Sequence, residues 1–137
     1  MLRARNGIKH AAGIGQARVG QSAKKVVWER DRVQLWRYDN PHVTRRPAIL
    51  IVMSLVTRSY ILDLRPGHSF IEQLTGAGYD VFMVDWGTPG AAESQNRLET
   101  YVDGYLPEAV TAALDVSGND QLTMLGYCLG GDLALLY

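Results

Sequence analysis

Three predominantly apolar runs divide the chain and predict its central strands, at residues 48–53, 79–84 and 122–125. A run without polar alternation is typical of a strand that is buried on both faces, as in a parallel sheet. Two shorter segments, residues 26–28 and 33–38, precede these runs and predict strands that are joined by a turn. The pattern therefore predicts a sheet built around buried parallel strands.

Helical patterns fill the intervals between the apolar runs. Residues 68–75 predict a short helix, and residues 98–116 predict an amphipathic helix with Pro107 as a kink or restart. Residues 132–137 predict a helix after the last strand. Strands that alternate with helices imply a parallel sheet with helices on both faces, and ligands bind such sheets beyond the carboxyl ends of the strands. Three loops are expected to meet there, at residues 54–59, 85–90 and 127–131.

The segment Gly126-Tyr127-Cys128-Leu129-Gly130-Gly131 joins the last predicted strand to the last predicted helix. It has the strand–turn–helix context of a nucleophile elbow, with cysteine in the position of the nucleophile. The flanking glycines allow strand and helix to approach closely, and a thiolate is stabilised at the start of a helix. Cys128 is therefore the predicted nucleophile, and the Leu129 N–H is a predicted oxyanion donor. The alternative is a small buried cysteine of the core.

Composition limits the classes of protein that fit. The sequence has 137 residues, a formal net charge of zero and one cysteine. This charge balance gives no indication of nucleic-acid binding, and a single cysteine excludes an internal disulfide. The sequence has no metal-ligand spacing, phosphate loop or dinucleotide fingerprint, so no metal or cofactor is predicted. The apolar stretches are too short to span a bilayer, and we expect a cytoplasmic protein.

The basic residues are concentrated at the start of the chain. Residues 1–25 contain six Lys or Arg residues, no acidic residue and no apolar periodicity. We expect a basic, disordered leader over residues 1–25 and the N-terminal half of a catalytic domain over residues 26–137. The alternatives for the leader are an arm that docks on a partner or anionic surface, and an organellar transit peptide.

Four segments resemble the polyhydroxyalkanoate synthases, which have an α/β-hydrolase fold. Residues 48–69 resemble their first core strand and the following loop, and residues 78–87 resemble their next strand with its terminal Trp. Residues 101–105 resemble the helix before the elbow, and residues 126–131 resemble a lipase-like box with Cys. The resemblance covers roughly residues 26–137 and is strongest to the class III catalytic subunits. The predicted fold is α/β, an α/β-hydrolase-type mostly parallel sheet that stops just after the elbow.

The resemblance implies a polymerase that transfers (R)-3-hydroxyacyl groups from coenzyme A thioesters to a growing polyester. Cys128 would carry the chain as a thioester, because a thiolate attacks thioesters readily. The family pattern places a second oxyanion donor at the Val56 N–H. Met53-Ser54 and Thr57-Arg58 stand nearby, where the family often has a Pro pair and Asn-Lys. The implied partners are hydroxyacyl-CoA, the polyester chain, a second synthase subunit or second copy of the chain, and the surface of polymer granules.

The residues that should serve this nucleophile are not found after it. In this fold an acid and then a histidine follow the nucleophile, whereas His10, His42 and His68 all precede Cys128. We therefore expect an N-terminal fragment of a longer enzyme, or a truncated gene product, without turnover. Two other functions remain open. One is a Cys-nucleophile hydrolase of the dienelactone hydrolase or thioesterase type, and the other is a non-enzymatic chain that associates with an intact synthase.

Overall fold

A computed structural model describes residues 18–137 of the chain. Within that range the polypeptide alternates between strands and helices, as the apolar pattern predicts. In chain order the elements are β1 (Lys24–Arg30), β2 (Val33–Tyr38), β3 (Arg45–Val52), β4 (Asp63–Arg65), β5 (His68–Ser69), α1 (Phe70–Gly76), β6 (Tyr79–Asp85), α2 (Leu106–Ser117), β7 (Leu122–Gly126) and α3 (Leu129–Leu136). Two 3₁₀ turns, Ser59–Leu62 and Ala92–Gln95, and a π-helical segment, Thr100–Tyr105, complete the described residues.

Five of the strands form one sheet, in the order β1-β2-β6-β3-β7. β3 lies between β6 and β7 and pairs with both in parallel, whereas β1 and β2 form an antiparallel hairpin that adds to β6. The predicted α/β fold with a mostly parallel central sheet is confirmed. β4 and β5 form a separate hairpin that the sequence did not predict. Strands of three and two residues are too short for a hydrophobic period to reveal them.

The centre of the sheet is covered on both faces. In β3 every residue from Ala48 to Val52 is buried, and in β6 every residue from Asp80 to Val84 is buried. Because successive side chains of a strand point to opposite faces, consecutive burial requires packing on each side. The continuous apolar runs therefore predicted the environment of these two strands correctly.

β7 differs from that prediction. Its five residues are half-buried or exposed, with Thr123 and Gly126 exposed. The cause is its position at the edge of the sheet formed by the described residues, where β3 is its one strand neighbour. The expectation of a third fully buried strand is wrong for residues 18–137, because an apolar run does not distinguish a central strand from an edge strand.

Two helices begin at other residues than predicted: α1 begins at Phe70, because His68 and Ser69 form β5, and α3 begins at Leu129 and not at Asp132. The Ser69 side chain accepts a hydrogen bond from the Glu72 N–H at 3.1 Å and caps α1. Residues 98–117 form one helical stretch, and its π-helical segment ends at Tyr105, just before Leu106 and Pro107. Pro107 lacks the N–H that a regular helix would use here, so the change of helix type at this point agrees with the predicted kink or restart. No helix within residues 18–137 combines the length and the apolar character that crossing a membrane would need.

A buried carboxylate fixes the chain before β1. Asp63 accepts hydrogen bonds from the Ser22 hydroxyl at 2.8 Å, the Ser22 N–H at 2.9 Å and the Ser69 hydroxyl at 2.7 Å. Its backbone carbonyl also accepts from the Gly20 N–H at 2.7 Å. Most of the predicted leader, residues 1–17, lies outside the described residues. Within residues 18–25, Gly20 and Ser22 are hydrogen-bonded to Asp63, and Lys24 and Lys25 belong to β1. The leader itself stays a prediction.

We predict that Asp63→Asn destabilises the chain and removes part of its sensitivity to acid. Burial alone would raise the pKa of Asp63, but hydrogen bonds from Ser69 and Ser22 hold that pKa below its ordinary value of 3.8. The stabilisation is therefore fully present above pH 3.8 and is lost as the pH falls through the lower, folded-state pKa. Urea unfolding at neutral pH should show a loss of about 1–3 kcal/mol.

The matched control is Asp39→Asn, since Asp39 is exposed. It should unfold like the unmodified chain at every pH tested. An Asp63→Asn chain that unfolds at the same urea concentration as this control would show that the carboxylate does not anchor residues 20–22.

Candidate active site

Cys128 lies between the end of β7 and the start of α3, in the position that the motif predicts. Its backbone has φ 54° and ψ −128°, a conformation that residues other than glycine rarely adopt. Such a turn places the nucleophile of an elbow outside the sheet, and the thiol of Cys128 is exposed. Within residues 18–137 Cys128 is therefore not a buried core cysteine.

Two glycines of the motif are required by close packing. A Cβ on Gly126 would lie 2.7 Å from the Gly130 carbonyl oxygen and would overlap the backbone of Gly131. A Cβ on Gly130 would lie 2.5 Å from the Met53 carbonyl oxygen and would overlap the Val52 carbonyl. The first glycine lets α3 approach β7, and the second lets α3 approach the end of β3. No larger residue fits either position without moving the backbone.

The elbow is also hydrogen-bonded to β3. Val52, the last residue of β3, is the register partner of Gly126, and its carbonyl accepts from the Tyr127 N–H at 3.0 Å. This bond continues the parallel ladder by one residue, up to the residue before Cys128. The backbone conformation of Cys128 is thus fixed on one side by β3 and on the other by α3.

Three loops converge beside this elbow. Val52 is the register partner of Val84 as well as of Gly126, so β3, β6 and β7 end in one row. The indole N–H of Trp86 donates to the Met53 carbonyl at 2.7 Å and ties the loop after β6 to the loop after β3. The carboxyl ends of the parallel strands therefore form a common surface, as the sequence analysis expected.

The two predicted oxyanion donors have different surroundings. Leu129 is the first residue of α3, where backbone N–H groups have no intrahelical acceptor, so its N–H is placed for the predicted role. The Val56 N–H donates to the Ser54 hydroxyl at 3.3 Å, and the Val56 side chain is exposed. The Val56 N–H must leave that hydroxyl to bind an oxyanion. Both assignments stay predictions.

The titratable side chains near the strand ends have structural partners. Asp85 accepts from the Gly87 N–H at 2.8 Å and braces the turn after β6. His68 lies in β5 with its Nε2 3.4 Å from the Arg65 guanidinium. Within residues 18–137 neither His42 nor His68 is hydrogen-bonded to the Cys128 thiol. In the described part of the chain the predicted nucleophile thus has no paired histidine, and no cluster of three metal-binding side chains is present there.

An aromatic cluster beside the loops was not predicted. Trp86 meets Tyr101 edge to face at a centroid distance of 5.3 Å, and Tyr101 lies 5.7 Å from Tyr105. Burial raises the pKa of Tyr105, and its hydrogen bond to Asp31 at 2.8 Å raises it further. The cluster lines a small cavity of about 50 Å³ together with Leu55. The spacing of Tyr101 and Tyr105 by four residues was the sequence signal for it, since such residues share a helix face.

Comparison with known proteins assigns the fold and the family independently of this geometry. A family model described as "Poly-beta-hydroxybutyrate polymerase (PhaC) N-terminus" matches residues 1–74, and one described as "alpha/beta hydrolase fold" matches residues 47–137. A predicted CIB-like hydrolase from Thermoplasma acidophilum has a similar fold, with a TM-score of 0.52 and 12% identity over 84% of this chain and 55% of that one.

Curated relatives are identical to the chain at about a third of the aligned positions. Proteins named "Poly(3-hydroxyalkanoate) polymerase subunit PhaC" are 35% identical over 93% of the chain in Haloferax mediterranei and 37% identical over 86% in Thiocystis violacea. The relative of that name in Synechocystis sp. is 34% identical over 96% of the chain. The chain spans 26%, 34% and 36% of the lengths of these relatives, respectively.

We predict that Gly130→Ala disrupts the elbow, because its methyl group would meet the carbonyls of Val52 and Met53. Overpacking of this kind costs about 1–3 kcal/mol of unfolding free energy. The rate at which Cys128 reacts with an aromatic disulfide reagent should change as well, since the turn that exposes the thiol is displaced.

Gly104→Ala is the matched control, because a Cβ at Gly104 has no neighbour within 4 Å. It should leave the thiol reaction rate unchanged and should not lower the urea midpoint, because Gly104 is helical and alanine favours a helix more than glycine does. If Gly130→Ala behaved like Gly104→Ala in both measurements, the close approach of α3 to β3 would be refuted.

Proposed function

Because the chain belongs to the poly-beta-hydroxybutyrate polymerase (PhaC) family and has its α/β-hydrolase fold, we propose that Cys128 accepts (R)-3-hydroxyacyl groups from coenzyme A thioesters for polyester synthesis. The observation that carries this proposal is the backbone of Cys128, held at positive φ between β7 and α3 with its thiol exposed. That backbone geometry is the one a nucleophile elbow requires.

The first step is a thioester exchange. The Cys128 thiolate attacks the acyl carbonyl, a carbon–sulfur bond forms to Cys128, and the bond to the sulfur of coenzyme A breaks. The departing thiolate of coenzyme A takes up a proton from solvent. One thioester replaces another, so the acyl group keeps its reactivity toward an attacking hydroxyl. The Leu129 N–H, at the positive end of the α3 dipole, would stabilise the oxyanion of this step.

The second step transfers the acyl group to the hydroxyl of another hydroxyacyl unit and forms an ester of the polymer. This transfer needs a base to take the proton of the hydroxyl, and a histidine does so in enzymes with this fold. No histidine follows Cys128 in the sequence. We therefore propose that the 137-residue chain is acylated at Cys128 but does not sustain polymerisation by itself.

The remaining partners follow from the same proposal. The curated relatives are named as subunits of a polymerase, which supports a second subunit or a second copy of the chain as the partner. A polyester product would bring the enzyme to the surface of polymer granules in the cytoplasm. No cofactor takes part in either step, since the first transfers the acyl group from sulfur to sulfur and the second transfers it from sulfur to oxygen.

Acylation is the direct test of the first step. The chain treated with (R)-3-hydroxybutyryl-CoA should release close to one equivalent of coenzyme A, because the thiol of Cys128 is consumed without turnover. Cys128→Ala should release none. Continued release far beyond one equivalent by the unmodified chain would contradict the proposed lack of turnover, and release by Cys128→Ala would contradict the nucleophile.

The fate of the acyl group separates a polymerase from a hydrolase of the same fold. If the chain is a polymerase, the acyl group should stay on the protein until a hydroxyl acceptor removes it as an ester. Chromatography of the supernatant should then detect little free 3-hydroxybutyrate. Stoichiometric appearance of the free acid would favour the thioesterase alternative.

A further inference from the structure

An open cleft lies between the loop after β3 and the loop after β6. It has a volume of about 150 Å³ and its lining includes Leu55, Thr57, Arg58, Thr88 and Pro89. Leu55 and Pro89 also line the smaller aromatic cavity, so the two spaces are neighbours. The cleft therefore belongs to the surface where the parallel strands end, beside the elbow.

Arg58 is the charged group of this cleft. Its Nη1 donates to the Thr88 hydroxyl at 2.6 Å, which orients the guanidinium across the cleft, and its side chain is exposed. Within residues 18–137 the ion pairs are formed by Arg30, Arg32 and Arg37, so no described carboxylate neutralises Arg58. A neutral hydroxyl partner leaves most of the five donors of this guanidinium and its full charge available to an anion.

The position of Arg58 suits an anion that is held at a distance from the nucleophile. The strand order β6-β3-β7 puts the Thr88 loop two strands away from the elbow, which is about 10 Å at the usual strand spacing. Coenzyme A also separates its groups in this way, because its pantetheine arm lies between the reactive sulfur and the phosphates. A charged group that stabilises the oxyanion would instead lie directly beside the Cys128 thiol.

We propose that Arg58 binds a phosphate of the coenzyme A that carries the acyl group, with Thr88 holding the guanidinium in place. The inference rests on the proposed function, since it names the part of the substrate that Arg58 would bind. Arg58 is a binding and specificity residue in this account, and it makes no contact with the reacting carbonyl.

Binding to the Cys128→Ala chain tests the inference without any reaction. Coenzyme A should bind more tightly than pantetheine, which lacks the phosphates, and rising salt should reduce the difference. Arg58→Gln should weaken coenzyme A binding by about threefold to fivefold, the size of one exposed ion pair, and should leave pantetheine binding unchanged. Arg46→Gln is the control, because Arg46 is exposed near the amino end of β3, opposite the cleft.

Three binding results would overturn the inference. Coenzyme A could bind no more tightly than pantetheine, or Arg58→Gln could bind coenzyme A like Arg46→Gln. Inorganic pyrophosphate could also bind as tightly as coenzyme A, which would indicate a general anion site unrelated to an acyl carrier.

Acylation rates supply a second readout and separate this inference from the proposed function. Arg58→Gln should slow acylation by (R)-3-hydroxybutyryl-CoA and not by the corresponding pantetheine thioester. An equal loss with both substrates would place Arg58 at the reacting centre and overturn its assignment to a phosphate. If the unmodified chain were acylated by neither substrate, the proposed function would fail, while the binding comparison would still decide the role of Arg58.

Discussion

The close packing of the elbow against the end of β3 is the constraint on which the site depends. The Tyr127 N–H bonds to the Val52 carbonyl, and Gly130 lets the first turn of α3 rest on the same stretch of backbone. These contacts hold Cys128 at positive φ, a conformation that costs a residue other than glycine about 1–3 kcal/mol. The surrounding packing offsets this cost, and the result is an exposed thiol at a fixed place.

The same backbone joins the other loops to the elbow. Val52 is in register with Val84 of β6, and the next carbonyl, that of Met53, accepts from the Trp86 indole. A change in the end of β3 would thus move both the predicted oxyanion loop and the loop that carries Thr88. Cys128, the predicted oxyanion donors and the charged cleft are parts of one surface because β3 lies between β6 and β7.

The sequence predicted those features that follow from local pattern. Continuous apolar runs indicated β3 and β6, and the spacing of glycines around Cys128 indicated the elbow. Features that depend on tertiary contacts were missed or wrong. The exposure of β7 depends on its position in the sheet, and the anchoring of Ser22 by Asp63 joins residues that are 41 positions apart. The β4–β5 hairpin was too short to leave a pattern.

The central claim is that Cys128 holds the acyl group as a thioester. The most direct measurement is a carbon NMR spectrum of the chain after reaction with hydroxybutyryl-CoA that carries ¹³C at its carbonyl. A thioester carbonyl resonates well downfield of an ester, amide or acid carbonyl, so its chemical shift identifies the bond that holds the acyl group. The account predicts one protein-bound thioester signal that Cys128→Ala lacks. A protein-bound ester or amide signal, or a thioester signal that persists in Cys128→Ala, would contradict it.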